Sequence, residues 1–391
     1  MREIRTRSGH RGLRLDPTTL DEAGLAAWRE LADRAAEPNP FFRPEFLLAN
    51  AVERHVPAEL LVVADGARWL ACLAVTHRPA NPRFPLPALV ALTDAYSFSG
   101  TPLLDRDAVD VAADGLIDLV RAERRTPVLV IGTFETAGSV GAALSRAAAR
   151  AGLAVREHSS FQRGGWVRSA EAHFPGPMFT AHDRRQMNRR AKRLSARLGG
   201  EVELVDRTSD RDAYEQFLAM ENSGWKAERG TALGSSPADT AFFRQMCDGL
   251  SRSGQFELIA LQVGDRVVAM ESSLSDAGSL FAWKIAFDPD YAEFSPGTIL
   301  KYRLIERLET GPWTHGDSCA AADNVHMNRL WPDRLVMRTL VLPTGSPFGI
   351  LLRPLMAARS FGRVVRDRIA WRRARRAGPS TSPPAGGSAP D

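Results

Sequence analysis

Three carboxylates in this chain stand where a carboxylate needs a reason to be. Glu271 follows the apolar run Val267-Val-Ala-Met270, where it must be ion-paired or carry a raised pKa. Asp317 ends a short strand, the place where α/β sheets usually put their sites, though an aspartate there can also simply cap a helix. Glu221 closes a helical pattern just before Trp225 and Lys226. Ser295-Pro296-Gly297-Thr298 opens another helix. Proline suits a first helical turn and Gly297 permits close backbone approach. First-turn amides are unpaired and the helix dipole is positive there, so this start is an anion site in waiting or a plain helix start. Cys319 with His315 or His326 raises a thiol nucleophile, which needs a base in reach. His326 lies seven residues further on and no oxyanion motif accompanies it. The remaining histidines are scattered, with no H-E-x-x-H and no paired cysteines, so metal catalysis has no support.

The rest of the composition is ordinary. The 391 residues are 44% apolar and 25% charged, which fits a globular chain of two domains with a full core. The three cysteines, Cys72, Cys247 and Cys319, are widely spaced and odd in number, so the expected setting is reducing and cytoplasmic. No apolar stretch follows the charged start, and none is long enough to span a bilayer. The net charge of +5 is concentrated locally: residues 353–376 hold nine arginines against one acid, Asp367. A globally basic protein for nucleic acid is therefore not indicated.

Periodicity supplies the elements that would position these groups. Residues 1–13 read as a loose basic lead. Leu20, Leu25, Trp28 and Leu31 are spaced for a helix, and 41–52 reads as a second. Strands are expected at 59–64, 69–76 and 88–92, helices at 107–124 and 139–151, and strands at 127–131, 154–157 and 161–167. The second half repeats that order. Helices are expected at 184–198, 210–225 and 238–252, with a strand at 202–205. Strands at 257–263, 266–275 and 279–287 follow; the turn Asp276-Ala-Gly278 is the clearest hairpin signal. A helix from Pro296, a strand at 313–317, a helical turn at 324–330 and a strand at 335–342 complete it. Helices alternating with strands predict an α/β layered fold, with mixed, mostly antiparallel sheets flanked by helices. The shared order suggests duplication of one unit, against two unrelated halves. The expected partition is 14–170, 177–346, a basic amphipathic helix at 347–376 and a disordered tail at 377–391.

The stretch from about 184 to 342 resembles the acetyltransferase domain of proteins linked to cellulose and exopolysaccharide synthesis. That group is a BioF2-like branch of the GNAT superfamily, related to the Fem-type aminoacyltransferases. The resemblance rests on a spaced set: the basic helix from Arg184, Glu221-Asn-Ser-Gly-Trp-Lys226, and Gly264-Asp-Arg-Val-Val-Ala-Met-Glu271. Lys284, Tyr291, Ser295-Pro-Gly297, Asp317-Ser-Cys319 and His326-Met-Asn-Arg-Leu-Trp331 complete it. The first half is similar to the degenerate copy such proteins carry, as in Phe41-Phe-Arg-Pro-Glu-Phe46. The resemblance implies tandem GNAT-like domains and an N- or O-acyltransferase. Its donor would be acetyl-CoA or another acyl-CoA, its acceptor an amino sugar, glycan precursor or other small molecule, and it would need no metal.

The resemblance also implies roles. Ser295, Pro296, Gly297 and Thr298 would meet the donor pyrophosphate, in a loop less glycine-rich than is common in the superfamily. The strand carrying Lys284 and Ile285 would hold the acyl carbonyl against a backbone N–H, where the oxyanion develops. Asp317, Glu271 and Glu221 are the candidate bases. Trp225, Lys226, Tyr291 and His326 are the candidate acceptor contacts. Two alternatives stand beside this: a Fem-like aminoacyltransferase of cell-envelope synthesis, whose basic helices would hold charged tRNA, and a non-catalytic accessory of polysaccharide synthesis. Nucleic acid enters only if tRNA carries the donor. In 353–376, leucines, valines and aromatics interleave with the arginines. The expected state is a helix docked on the folded domain, with peripheral contact to an anionic inner membrane as the alternative.

Overall fold

The computed structural model describes residues 2–81, 84–169, 179–228 and 230–354. The first half runs β1 (Arg2–Arg5), β2 (Arg11–Leu15), α1 (Glu22–Asp33), α2 (Pro44–Glu53), β3 (Glu59–Asp65), β4 (Arg68–Asn81), β5 (Phe84–Ala91), β6 (Leu103–Leu104), α3 (Val109–Ala122), β7 (Val128–Glu135), α4 (Ser139–Arg150) and β8 (Arg156–Val167). The second runs α5 (Ala181–Leu198), β9 (Val202–Asp206), α6 (Arg211–Asn222), α7 (Trp225–Glu228), α8 (Pro237–Arg252), β10 (Phe256–Val263), β11 (Arg266–Asp276), β12 (Ser279–Phe287), α9 (Pro296–Thr310), β13 (His315–Asp317), α10 (Val325–Leu330) and β14 (Asp333–Pro343).

All fourteen strands join one mixed, mostly antiparallel sheet flanked by helices. The order is β1-β2-β3-β4-β5-β7-β14-β8-β13-β12-β11-β10-β9, with β6 beside β4. The two parallel pairs are β5 with β7 and β12 with β13, one in each half. The last strand of each half is exchanged. β14 pairs with β7 of the first half, and β8 pairs with β13 of the second. β8 and β14 then pair antiparallel along the centre. The segments 14–170 and 177–346 therefore share one sheet.

The lead is corrected: residues 2–15 form a hairpin, not a loose segment. The Thr6 N–H donates to the His10 carbonyl at 2.9 Å, Gly9 takes a left-handed turn position (φ 85°), and Leu13 is buried. The two strands expected at 154–157 and 161–167 are one continuous strand, β8. The hairpin at Ala277-Gly278 forms with both residues at positive φ, 43° and 79°, the geometry of a type I′ turn.

Between the halves lies an aromatic core. Phe46 of α2 meets Phe242 of α8 edge-on at 5.3 Å and Trp283 of β12 at 6.1 Å, and Phe243 stacks on Trp283 at 6.1 Å. A smaller core under α5 and α9 gathers Met187, Leu194, Ile299, Leu300 and Trp331.

Candidate functional site

β12 pairs with β13 only from Ser279 to Phe281, and then runs on to Phe287. A bulge interrupts its ladder with β11: Ser272 faces Lys284 while Ser273 faces Ala282, leaving Trp283 between. A bulge of this kind can turn two consecutive side chains to one side, and the contacts show it. The Trp283 indole N–H donates to the Tyr96 carbonyl at 2.8 Å, and the Lys284 ammonium lies 4.4 Å from the Tyr96 ring centre. Ile285 and Phe287 face the other side, towards α9.

On that side is an open cleft of about 530 Å³, between α5, the end of β12, the start of α9, and α10. Ile285 and Phe287 floor it, and Met187, Arg190 and Gly297 wall it. Ser295 precedes the helix in a left-handed conformation (φ 54°, ψ 55°), unusual for a residue with a Cβ. Its carbonyl accepts the Thr298 and Ile299 N–H groups at 3.0 and 3.1 Å. Pro296 has no N–H, and the Gly297 amide is a first-turn donor with no acceptor inside the helix. A Cβ at Gly297 would come 3.4 Å from Phe287 Cδ1 and 3.6 Å from Ile285 Cδ1, so any larger side chain projects over the floor. Arg190 donates to Ser295 Oγ at 3.0 Å and holds a cation beside the helix start. Arg329 donates to Asp183 Oδ2 at 2.7 Å on the opposite rim. Asp183 in turn closes the capping box of α5 with Thr180, which lowers its pKa, with Arg329 as a smaller cause.

Of the residues marked in the sequence, the cleft brings together Ile285, Ser295, Pro296, Gly297 and Thr298. Lys284 points to the opposite face of β12, where its ammonium lies 3.5 Å from Glu221 Oε1. Glu221, at the end of α6, is buried and accepts the Leu233 N–H on Oε2 at 2.9 Å. Glu271 lies opposite Ile285 across the ladder, beneath α9, with the Lys301 ammonium against its Oε2. Both are buried, as the apolar surroundings of Glu271 required. Asp317 has both oxygens engaged: Oδ1 accepts the Cys319 N–H at 2.9 Å and Oδ2 accepts Arg163 at 2.5 Å. Tyr291 sits in the turn before α9, outside the cleft lining, under the Arg266 guanidinium at 5.7 Å. The side chains of Trp225, Lys226 and His326 lie outside the described residues.

Burial, reinforced by Asp317, drives the Cys319 thiol well above its ordinary pKa, so a thiolate nucleophile is disfavoured. Burial also lowers the pKa of His315, against the pull of Asp317. Among the described residues no group of three or more His, Cys, Asp or Glu side chains is placed to hold a metal ion. Sequence reading offered the basic helix from Arg184 as a contact for a phosphate-bearing donor or acceptor, but did not single out its residues on the cleft. Asp183, Gln186, Met187 and Arg190 fall at helical spacing on one face, and that spacing was the available signal.

The family comparison bears on this half of the chain. Residues 181–323 match the acetyltransferase (GNAT) domain. The GNAT match covers α5 through the loop after β13, and hence most of the cleft wall. No curated protein matches the sequence. Among solved structures, the C-terminal domain (DUF2156) of an Agrobacterium fabrum protein assigned as a lysylphosphatidylglycerol synthetase is similar over 85% of this chain and 96% of its own, at TM-score 0.52 and 12% identity. FemX is similar over 88% of this chain and all 100% of its own, at TM-score 0.48 and 11% identity. L-PGS from Bacillus licheniformis is similar over 88% and 97%, at TM-score 0.48 and 12% identity. At 12% identity the likeness to the Agrobacterium fabrum domain is one of fold alone.

Proposed function

We propose that this protein is an acyltransferase that takes an acyl group from acyl-CoA and passes it to an amine or hydroxyl of a small acceptor, an amino sugar or glycan precursor. One observation carries the reading. The first turn of α9, a 15-residue helix, lines a cleft of cofactor size with Ser295, Pro296, Gly297 and Thr298, with Arg190 alongside. The residues fit a phosphate-bearing donor, because a helix start, a guanidinium and a side-chain-free glycine converge there. The bulge in β12 lies just past Phe281, where pairing with β13 ends, and the reading places the acyl carbonyl there, where it would need a backbone donor.

The two faces of β12 then divide the chemistry. Ile285 and Phe287 line the donor side; Lys284 and Glu221 form the acceptor side. Of the three candidate bases, Asp317 is held by Arg163 and the Cys319 amide, and Glu271 by Lys301 beneath the donor helix. Glu221 pairs with a lysine next to the bulge itself, and we assign the proton to it. The acceptor proton passes to the Glu221 carboxylate as the new acyl bond forms and the thioester C–S bond breaks; CoA leaves as the thiolate and takes up a proton from solvent, and Glu221 returns its own proton to solvent before the next turnover.

A ligand that binds only the folded state raises its melting temperature. Saturating acetyl-CoA or a longer acyl-CoA should therefore shift the wild type, and Gly297→Val should abolish the shift. Glu221→Gln should keep the shift and lose about 10²–10⁴-fold in turnover. No shift with any acyl-CoA would sink the donor assignment; full turnover in Glu221→Gln would sink the base. A second reading, with charged tRNA as donor, draws on six exposed cations of α5: Arg184, Arg185, Arg189, Lys192, Arg193 and Arg197. It requires tRNA affinity that falls linearly with log salt, together with no response to acyl-CoA.

A further inference from the structure

In the first half, β5 and β7 pair in parallel from Ala88 to Val90 and no further. In the second half, β12 and β13 do the same, and the acyl carbonyl is assigned to the gap beyond their last pair. In the first half the corresponding gap is taken by the chain itself. Gly100 donates its N–H to the Thr133 carbonyl at 3.1 Å. A Cβ on Gly100 would stand 2.4 Å from the Gly132 carbonyl oxygen and 3.3 Å from Ala91 Cβ, so the backbone lies wedged between the two strands. The segment leading to it is pinned at both ends. Asn39 Nδ2 donates to the Ser99 and Thr101 carbonyls at 3.2 and 2.8 Å. Asp94 Oδ1 accepts the Tyr96 and Ser97 N–H groups at 2.9 and 2.8 Å.

The tip of this segment enters the second half. The Tyr96 carbonyl accepts the Trp283 indole N–H at 2.8 Å, and the Tyr96 ring stacks on Phe242 of α8 at 5.6 Å. The Lys284 ammonium lies over the same ring, 4.4 Å from its centre, within cation–π range. Its distance to Glu221 Oε1, 3.5 Å, exceeds the roughly 2.7–2.9 Å of a tight charge-assisted hydrogen bond. The ammonium is thus divided between carboxylate and ring. The ring is itself fixed. Arg54 lies 4.4 Å from its centre and donates to Asp94 at 2.5 Å and to Asp239 at 2.7 Å. We propose that Tyr96 is a positioning residue: it holds the Lys284 ammonium beside Glu221, so that the first half, its own gap filled, serves as a wall of the acceptor side. The inference rests on Lys284 and Glu221 forming that side. Burial, with Asp239 adding to it, pushes the Tyr96 hydroxyl up, so the ring stays an uncharged phenol and acts through Lys284.

The chain has only four lysines, Lys192, Lys226, Lys284 and Lys301, so full-length protein labelled with carbon-13 at the lysine ε-carbon should show four ε-methylene signals by NMR. The signal lost in Lys284→Met is that of Lys284. In the wild type it should lie upfield of the signal of Lys192, which is exposed on α5, because it sits over an aromatic ring. It should stay upfield in Tyr96→Phe and move to the Lys192 position in Tyr96→Leu, with circular dichroism unchanged. Transfer from acetyl-CoA to glucosamine, the probe acceptor, gives the kinetic arm. Tyr96→Leu should lower kcat about tenfold or more and leave the KM for acetyl-CoA within about twofold, and Tyr96→Phe should recover most of the loss. In a Lys284→Met background, Tyr96→Leu should cost nothing further, since the two residues act as a unit. The proposal is overturned if the wild-type Lys284 signal coincides with that of Lys192, or if Tyr96→Leu loses as much in the Lys284→Met background as alone. The spectra need no donor. A wild type that neither binds nor uses acetyl-CoA sinks the acyl-CoA reading, and the Lys284 signal still decides whether Tyr96 holds the lysine.

Discussion

Asp317→Asn separates a brace from a base. The substituted side chain keeps an oxygen for the Cys319 N–H but loses the charge facing Arg163. Arg163 is 2% exposed, and its remaining hydrogen bond, from Nη1 to the Phe98 carbonyl at 3.0 Å, cannot replace a counter-ion. Breaking a buried pair from one side costs about 3–5 kcal/mol, because the other charge is left uncompensated. Glu135 also acts on Arg163 through space and should hold the loss to the lower end of that range. With an unfolding entropy of roughly 2.1 cal/mol/K per residue over 391 residues, a loss of about 3 kcal/mol lowers Tm by about 4 °C. Urea unfolding followed by circular dichroism gives the free energy, and differential scanning calorimetry gives Tm. Replacing both partners, as Arg163→Met/Asp317→Leu, should recover most of the loss, since an apolar pair needs no counter-charge. Where Asp317→Asn remains folded, its acyl transfer should stay within about tenfold of wild type. A variant of unchanged stability whose turnover falls about 10²–10⁴-fold would refute this reasoning and make Asp317 the base.

The exchanged strands predict that residues 1–179 and 180–391, expressed apart, are each insoluble or unfolded, since each exposes an unpaired central sheet edge; co-expression should yield a complex that co-elutes on gel filtration. Glu37 is held above its ordinary value of 4.5 by burial, against hydrogen bonds from Val140 N–H and Ser139, and Glu135 is raised by burial and then by the charge of Glu37. A raised carboxyl binds more protons folded than unfolded, so stability should fall as pH climbs from about 4.5 through the folded value. In Glu37→Gln that part of the decline should vanish, read as a flatter unfolding free energy between pH 4.5 and 7; an unchanged slope would refute it.

What the sequence determined by itself was local. The Asp276-Ala-Gly278 turn and the Ser295-Pro-Gly297 helix start need only a few neighbouring residues to specify them. So did the repeated element order, because periodicity is a property of one segment at a time. The demand that Glu271 find a partner was equally legible, though not that the partner would be Lys301. The tertiary structure decided everything that joins distant segments. β8 leaves its own half to pair with β13, which brings Arg163 to Asp317 across 154 residues. A bulge sends Lys284 to the side of Glu221 and Tyr96, while simple alternation would put it on a face by count alone. Strand pairing and bulges arise from competition among whole faces for burial. That competition is settled only once all fourteen strands are in one sheet.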